Sequence, residues 1–218
     1  MGAKDSLALD PVALAHALRR ALTERRSIRR YADAPVAKEL IESLLAAAVS
    51  APSAHNRQPW RFLVIERLSA KQRLARAMGD RLRCDRLRDG DPPQAVEADV
   101  ARSYARLTQA PVVVLLCMTA AEMDRYPDER RQHAERTMAM QGTAMAAQNL
   151  LIAAHAVGLG ACWICAPLFC PETVAAALVL PDDWEPQAII TLGYPADAGK
   201  PFTRRALSEV VVYEDRST

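Results

Sequence analysis

The segment from Tyr126 to Val157 constrains this fold more than any other part of the chain. Tyr126-Pro127 marks the start of a helix that continues to about Val157, some 45 Å long at about 1.5 Å per residue. From Met138 onward it is apolar almost all round, the pattern of a helix enclosed by other elements. A chain of 218 residues, half of them apolar, has enough material to wrap one such helix in a single domain spanning 1–218. The exceptions on the helix are polar: Thr137, Gln141 and Gln148 fall within roughly 40° of one another on a helical wheel. A polar stripe on a buried helix needs partners, which a neighbouring helix, a symmetry mate or a ligand could supply.

Around this helix the punctuation is clear. Asp10-Pro11 supplies a capping side chain and a proline at the first helical position, predicting a helix to about Glu24. Val36 to Ser50 predicts a second helix, with Ile41, Leu44, Leu45 and Ala48 at helical spacing. Trp60 to Glu66 predicts a strand, and Ser69 to about Asp89 a basic helix stopped at Asp89-Gly90. Pro92-Pro93 opens another helix to about Gln109. Between these two, Arg81, Arg83, Cys84, Asp85, Arg86 and Arg88 read as a charged surface flap. Pro111 to Met118 is a short β-branched run, hence a buried strand. Gly158-Leu159-Gly160 ends the long helix before a strand at Ala161 to Cys165. Pro171 to Leu178 predicts a short helix and Trp184 to Tyr194 a strand. The tail Val210 to Tyr213 is strand-like without a sequence neighbour, so it would add to a sheet edge, in this chain or in another subunit.

Two stretches carry candidate chemistry. Arg25 to Arg30 holds four arginines in six residues. In an extended segment Arg25, Ser27 and Arg29 share one side, and two guanidinium forks flanking a hydroxyl suit a phosphate monoester. A solvated basic turn and a nucleic-acid contact are the alternatives. Net charge is only +2, so the rest of the chain is near neutral, which disfavours nucleic acid. The second stretch, Ala51 to Phe62, is dense in short polar side chains: Ser53, His55, Asn56 and Gln58, bracketed by Pro52 and Pro59. Such a loop could grip the edge of a planar ring, or simply hydrogen-bond itself. Lys200, Arg204 and Arg205 form a second basic group near the end.

Other chemistries find little support. The sequence has no Gly-x-Gly-x-x-Gly after a strand, no Gly-x-Ser-x-Gly elbow and no His-Glu-x-x-His. Five cysteines argue against a disulfide framework. Cys162-x-x-Cys165 invites a metal reading, but Cys162 to Cys165 reads better as a buried strand in which cysteine acts as a small hydrophobe. No apolar run approaches the roughly 20 residues of a membrane span, and the first residues lack the apolar centre of a signal peptide, so a cytoplasmic protein is expected.

Taken together, Arg25-Arg26-Ser27-Ile28-Arg29, Ala51-Pro52-Ser53-Ala54-His55-Asn56-Arg57-Gln58-Pro59-Trp60 and Gly158-Leu159-Gly160-Ala161-Cys162-Trp163-Ile164 resemble the nitroreductase family, in order, from about Leu18 to Val211. The resemblance implies an α+β fold with a central, mostly antiparallel sheet flanked by helices and a long central helix. It also implies a homodimer with exchanged carboxy-terminal extensions and FMN in two interfacial sites. Carried onto these residues, Arg25, Arg26, Ser27, Arg29 and one of Arg204 or Arg205 would hold the phosphate and the ring's pyrimidine edge. Pro52, Ser53, Asn56, Gln58 and Gln141 would contact the flavin, and Cys162, Trp163 and Ile164 would lie beside it. No protein side chain is then needed as a catalytic acid or base, and Arg29 would tune the flavin. NAD(P)H or a reduced deazaflavin would be the electron donor.

A narrower resemblance rests on Asp85 with Asp89-Gly90, Tyr126-Pro127-Asp128, Ala134-Glu135-x-Thr137-Met138, Cys162-Trp163-Ile164 and Leu180-Pro181-x-Asp183-Trp184-Glu185-Pro186. These are similar to the nitroreductase-like domain of the coenzyme F-420 biosynthesis protein, which implies a dehydro deazaflavin precursor as acceptor. Asp85, His55, Thr137 and Met138 would then face that acceptor. A nitroaromatic or quinone acceptor is the alternative, and a non-enzymatic flavin or deazaflavin carrier is the alternative of another class.

Overall fold

A computed structural model describes residues 10–214. Its centre is β2, Val112–Met118, a seven-residue strand buried at every position. It is flanked by β1, Trp60–Ile65, on one side and β4, Glu185–Gly193, on the other; β3, Gly160–Ile164, completes the order β1-β2-β4-β3. All three pairings are antiparallel. A register shift between Leu116 and Cys117 leaves Gln187 of β4 as an extra residue opposite β2. Because strand side chains alternate, the sheet has two apolar faces and needs cover on both.

One face carries Val114, Leu116, Ala188 and Ile190 against α2 (Lys38–Val49) and the long helix α5 (Glu129–Ala156). The other carries Val113, Leu115, Cys117 and Ile189 against α3 (Leu68–Arg88), α4 (Pro93–Thr108) and α6 (Pro171–Leu178). Each fully buried Leu, Ile or Val contributes about 1.5–3 kcal/mol relative to exposure. Lys71 is buried on this second face, and its ammonium donates to Ala110 O at 2.6 Å and Pro111 O at 3.2 Å, so α3 is tied to the end of α4. Burial pulls Lys71 below the usual lysine range.

α1 (Pro11–Glu24) begins as expected, with Asp10 accepting from Val12 N at 3.1 Å. The expected α+β class, antiparallel sheet and long helix are all present. Four expectations need correction. Val36 and Ala37 are extended, and α2 starts at Lys38; buried Val36 is an anchor ahead of the helix. The charged flap is no flap, because α3 runs unbroken to Arg88 and its charges pair across a helical hairpin. Arg83 bonds Glu97 at 2.6 Å, and Arg86 bonds Asp91 at 2.6 Å and also Asp99.

The long helix is not enclosed all round. Gly142, Ala146, Ala147, Leu150 and Leu151 face the sheet, while Gln141, Ala144, Met145 and Gln148 are exposed. Alanine suits either environment, so an alanine-rich pattern overstates burial. Finally, the tail forms the short α7 (Leu207–Val210) and then leaves Val212 and Tyr213 exposed, without strand pairing in this chain. Among the described residues no helix is long and apolar enough to cross a membrane.

Candidate functional site

The basic segment is extended and lies along the free edge of β3. Ser27 pairs with Ala161 in a parallel bridge, and Ile28 N donates to Ala161 O at 3.0 Å. Close approach depends on Gly160: a Cβ there would stand 2.7 Å from Ile28. Tyr31 locks the far end, its hydroxyl 2.7 Å from Ile28 O and 2.7 Å from Thr191 Oγ1; burial raises its pKa. Arg25 and Arg29 both bear electrostatically on Cys162 of β3, and Arg29 donates to Ser27 O at 3.3 Å.

Arg204 arrives from the carboxy-terminal segment. Burial lowers the pKa of Arg25, and the neighbouring Arg204 guanidinium lowers it further. Arg26 turns the other way. It donates to Glu24 O at 2.9 Å at the end of α1, and both it and Arg204 lie over Phe202, 4.1 and 3.9 Å from the ring centroid. Phe202 thus reaches the patch from a segment distant in sequence. Arg205 instead pairs with Glu209 at 3.9 Å, which leaves Arg204 as the cation beside Arg25.

A further arginine joins the group from α4. Arg106 acts on both Cys162 and Tyr31 and so stands near Arg25 and Arg29. Burial raises Cys162, while Arg29, Arg106 and Arg25 pull it down. Among the described residues Arg25, Arg29, Arg106 and Arg204 have no carboxylate partner within ion-pair distance. These four guanidinium groups, coupled electrostatically to Cys162 or to Arg25, make the β3 edge a candidate anion site. Sequence reading misses Arg106 because nothing local distinguishes it from other helix-terminal arginines.

The second group of expected residues lies elsewhere. Ala54–Asn56 is a 3₁₀ turn, with His55, Asn56 and Gln58 at φ values of 48°, 54° and 50°. The left-handed region is costly for side chains other than glycine and asparagine, and such strain gathers at binding loops. Ser53 Oγ holds the loop by accepting from Gln58 N at 2.9 Å, and it packs against Gly142 of α5. Pro52, His55, Asn56 and Gln58 remain exposed, as does Gln141. Met138 packs with Met118 and Met123, and the Thr137 hydroxyl bonds His133 O at 2.9 Å.

This loop leads into β1, one edge of the sheet, whereas the arginines line β3, the other edge. Three strand spacings, about 14 Å, separate the two. Within one chain the two groups therefore lie apart. Asp85 belongs to the β3 side. It pairs with Arg81 at 2.6 Å and lines a cavity of about 130 Å³ with Ile164 and Arg106. Trp163 turns to the opposite face of β3, its Nε1 donating to Cys165 Sγ at 2.7 Å. Cys165 lies beyond the strand and is exposed, so only Cys162 fits the expected buried role.

An arginine-rich strand edge, an adjoining cavity and a strained amide-bearing loop are the candidate binding features of the chain. Comparison with known proteins gives the class. The Nitroreductase family pattern matches residues 22–194. An NADH dehydrogenase of Thermus thermophilus is 31% identical over 219 residues, covering 88% of this chain and 94% of that protein. A 5,6-dimethylbenzimidazole synthase of Rhodospirillum rubrum is 31% identical over 181 residues, 79% of each. A Desulfovibrio desulfuricans protein described as a nitroreductase, solved with FMN bound, superposes with a TM-score of 0.69 at 29% identity, covering 92% and 98% of the two chains. A BluB-like flavoprotein of Clostridium difficile shares the fold with a TM-score of 0.77 at 22% identity, covering 91% and 99%. The chain belongs to the nitroreductase family and is an oxidoreductase of that family.

Proposed function

We propose that this protein is an FMN-dependent oxidoreductase that takes electrons from reduced nicotinamide and reduces a planar, electron-poor small molecule. The uncompensated arginine cluster carries the reading. Arg25 and Arg204 repel each other unless an anion lies between them, and a phosphate monoester supplies two charges and several acceptors at that point. Arg29 stands further along the β3 edge, beside Cys162, where the edge of a planar ring would follow its phosphate. FMN bound there would accept hydride and pass it on at its own ring. The protein's part is to fix the phosphate, exclude water with the α3–α4 hairpin and supply positive charge from Arg29, which favours a reduced, anionic ring.

A homodimer completes the site in this reading. The loop bearing Ser53, Asn56 and Gln58 reaches the arginine edge of a partner copy, so each of two sites draws on both chains. The exposed apolar positions of α1, Val12, Leu14, Leu18 and Leu22, and of the tail, Val210, Val212 and Tyr213, provide surface for such an assembly. The specific acceptor we propose is the dehydro precursor of the deazaflavin coenzyme F-420, with Asp85 at the cavity mouth, in a cytoplasmic setting. The 31% identity to a 5,6-dimethylbenzimidazole synthase favours a second reading, in which the product is 5,6-dimethylbenzimidazole.

The deciding experiment is an absorbance spectrum of the purified protein, heat release and mass identification of any chromophore, then anaerobic reduction with NADH. Released FMN that is reduced and then reoxidised by the dehydro precursor supports the acceptor proposed. Reoxidation only by nitroaromatics or quinones replaces that acceptor, and formation of 5,6-dimethylbenzimidazole by the air-exposed protein establishes the second reading. A colourless protein that fails to take up FMN defeats all three.

A further inference from the structure

The cavity between the α3–α4 hairpin and the β3–β4 edge has a size and lining of its own. Its volume is about 130 Å³. Ala75, Met78, Leu107 and Ile189 form buried walls, and Leu82 and Ile164 extend them outward. Apolar cavities of about 150 Å³ stay dry and accept a benzene-sized guest. Water gains too few hydrogen bonds in such a space, so an apolar ring is the better occupant.

The polar groups that line it are those that retain contact with solvent. Arg81 and Asp85 neutralise each other at 2.6 Å. Ser103 and Arg106 remain as donors, and Arg106 has no carboxylate partner among the described residues. Phe169, 78% exposed, adds an apolar face to the same opening. The opening therefore carries one uncompensated positive charge above an apolar interior. This is complementary to an aromatic ring with an electron-rich oxygen substituent at one end.

We propose that this cavity is a one-ring aromatic subsite, which receives a terminal six-membered ring whose oxygen-bearing substituent faces Ser103 and Arg106. It accepts a lone ring or the end ring of a fused system and excludes rings substituted by bulky groups at the buried end. That the guest is an electron acceptor rests on the oxidoreductase reading; that a ring enters here rests on the cavity.

The test is a fluorine NMR titration of the oxidised, FMN-loaded protein with para-fluoronitrobenzene, in the absence of an electron donor. Saturable binding is expected, with NOEs between the probe ring and the Ile164 and Ile189 methyl groups. Ala75→Leu or Leu107→Phe, which place additional apolar volume in the cavity, should weaken binding by about tenfold or more while FMN content is retained. NOEs to Ile189 in the native protein decide the matter even where a variant fails to fold. Failure to saturate, NOEs confined to other residues, or unchanged affinity in folded variants would overturn the proposal. Loss of FMN from folded Ala75→Leu would also overturn it, by assigning the cavity to the cofactor's own ring. A native protein that binds the probe in the cavity but holds no FMN would instead refute the oxidoreductase reading and leave the subsite standing.

Discussion

At Gly160 the absence of one carbon holds the arginine edge in place. A Cβ would meet Ile28 at 2.7 Å, and Ile28 cannot swing aside because it is buried and its N–H is bonded to Ala161 O. Gly160→Ala is therefore expected to push residues 25–29 away from β3 at a cost of about 1–3 kcal/mol. Urea unfolding measures the cost, and flavin retention should fall in protein that is still folded. An unchanged midpoint together with full retention would show that the edge adapts freely. The same residues show what the sequence can reveal. The alternation of Arg25, Ser27 and Arg29 was legible because strand geometry alone puts them on one side. Arg106, Arg204 and Phe202 complete the cluster from segments some 75 and 180 residues away, and no periodicity links them to it. The split between the loop and the arginines is equally invisible locally, since it follows from β1 and β3 being opposite edges of the sheet.

Among the elements, the α3–α4 hairpin most changes the reading of the sequence. Its run of arginines and aspartates has the composition of a solvated loop, yet Arg81, Arg83, Arg86 and Arg88 each meet a carboxylate across or along the hairpin. Arg86 is the central tie, bonding Asp91 in the turn at 2.6 Å and also Asp99 in α4. Its side chain is only 28% exposed, so the pairs are partly shielded from solvent. Arg86→Met should lower stability by about 1–2 kcal/mol and open the 89–92 turn to proteolysis. If neither changes, packing alone holds the hairpin closed. Strands were legible because β-branched runs bounded by proline and glycine have few alternatives, as at Pro111 to Met118. Burial of α5 was less so, because Ala144 and Met145 lie outside the chain's own core.

On the scale of the whole molecule, the proposed homodimer and the chain's buried acids each make a prediction. Arg29→Ala damages the arginine half-site and Gln58→Ala the loop half-site, so either alone should lose flavin-dependent turnover. If each site draws on two chains, refolding the two variants together restores one intact site per mixed dimer, about a quarter of native activity. No recovery would put both half-sites to work within one chain. The second prediction concerns alkali. Burial pushes the Cys117 thiol from an ordinary value of 9.0 up to about 12, and it also raises Cys162, Cys170 and the Tyr31 phenol. Each is an acid that stays protonated in the fold after the unfolded chain has released its proton. Above about pH 9 the unfolded state therefore binds fewer protons, and stability falls as pH rises towards the folded values. Each raised thiol contributes a slope of up to about 1.4 kcal/mol per pH unit within that window. Cys117 is fully buried in β2, and Cys117→Val keeps its size and strand preference while removing one titrating group. Urea unfolding of the native and Cys117→Val proteins should give parallel stability curves below about pH 9 that converge above it, the variant losing less. Curves that stay parallel to about pH 11 would mean that Cys117 ionises in the folded chain as readily as in the unfolded one.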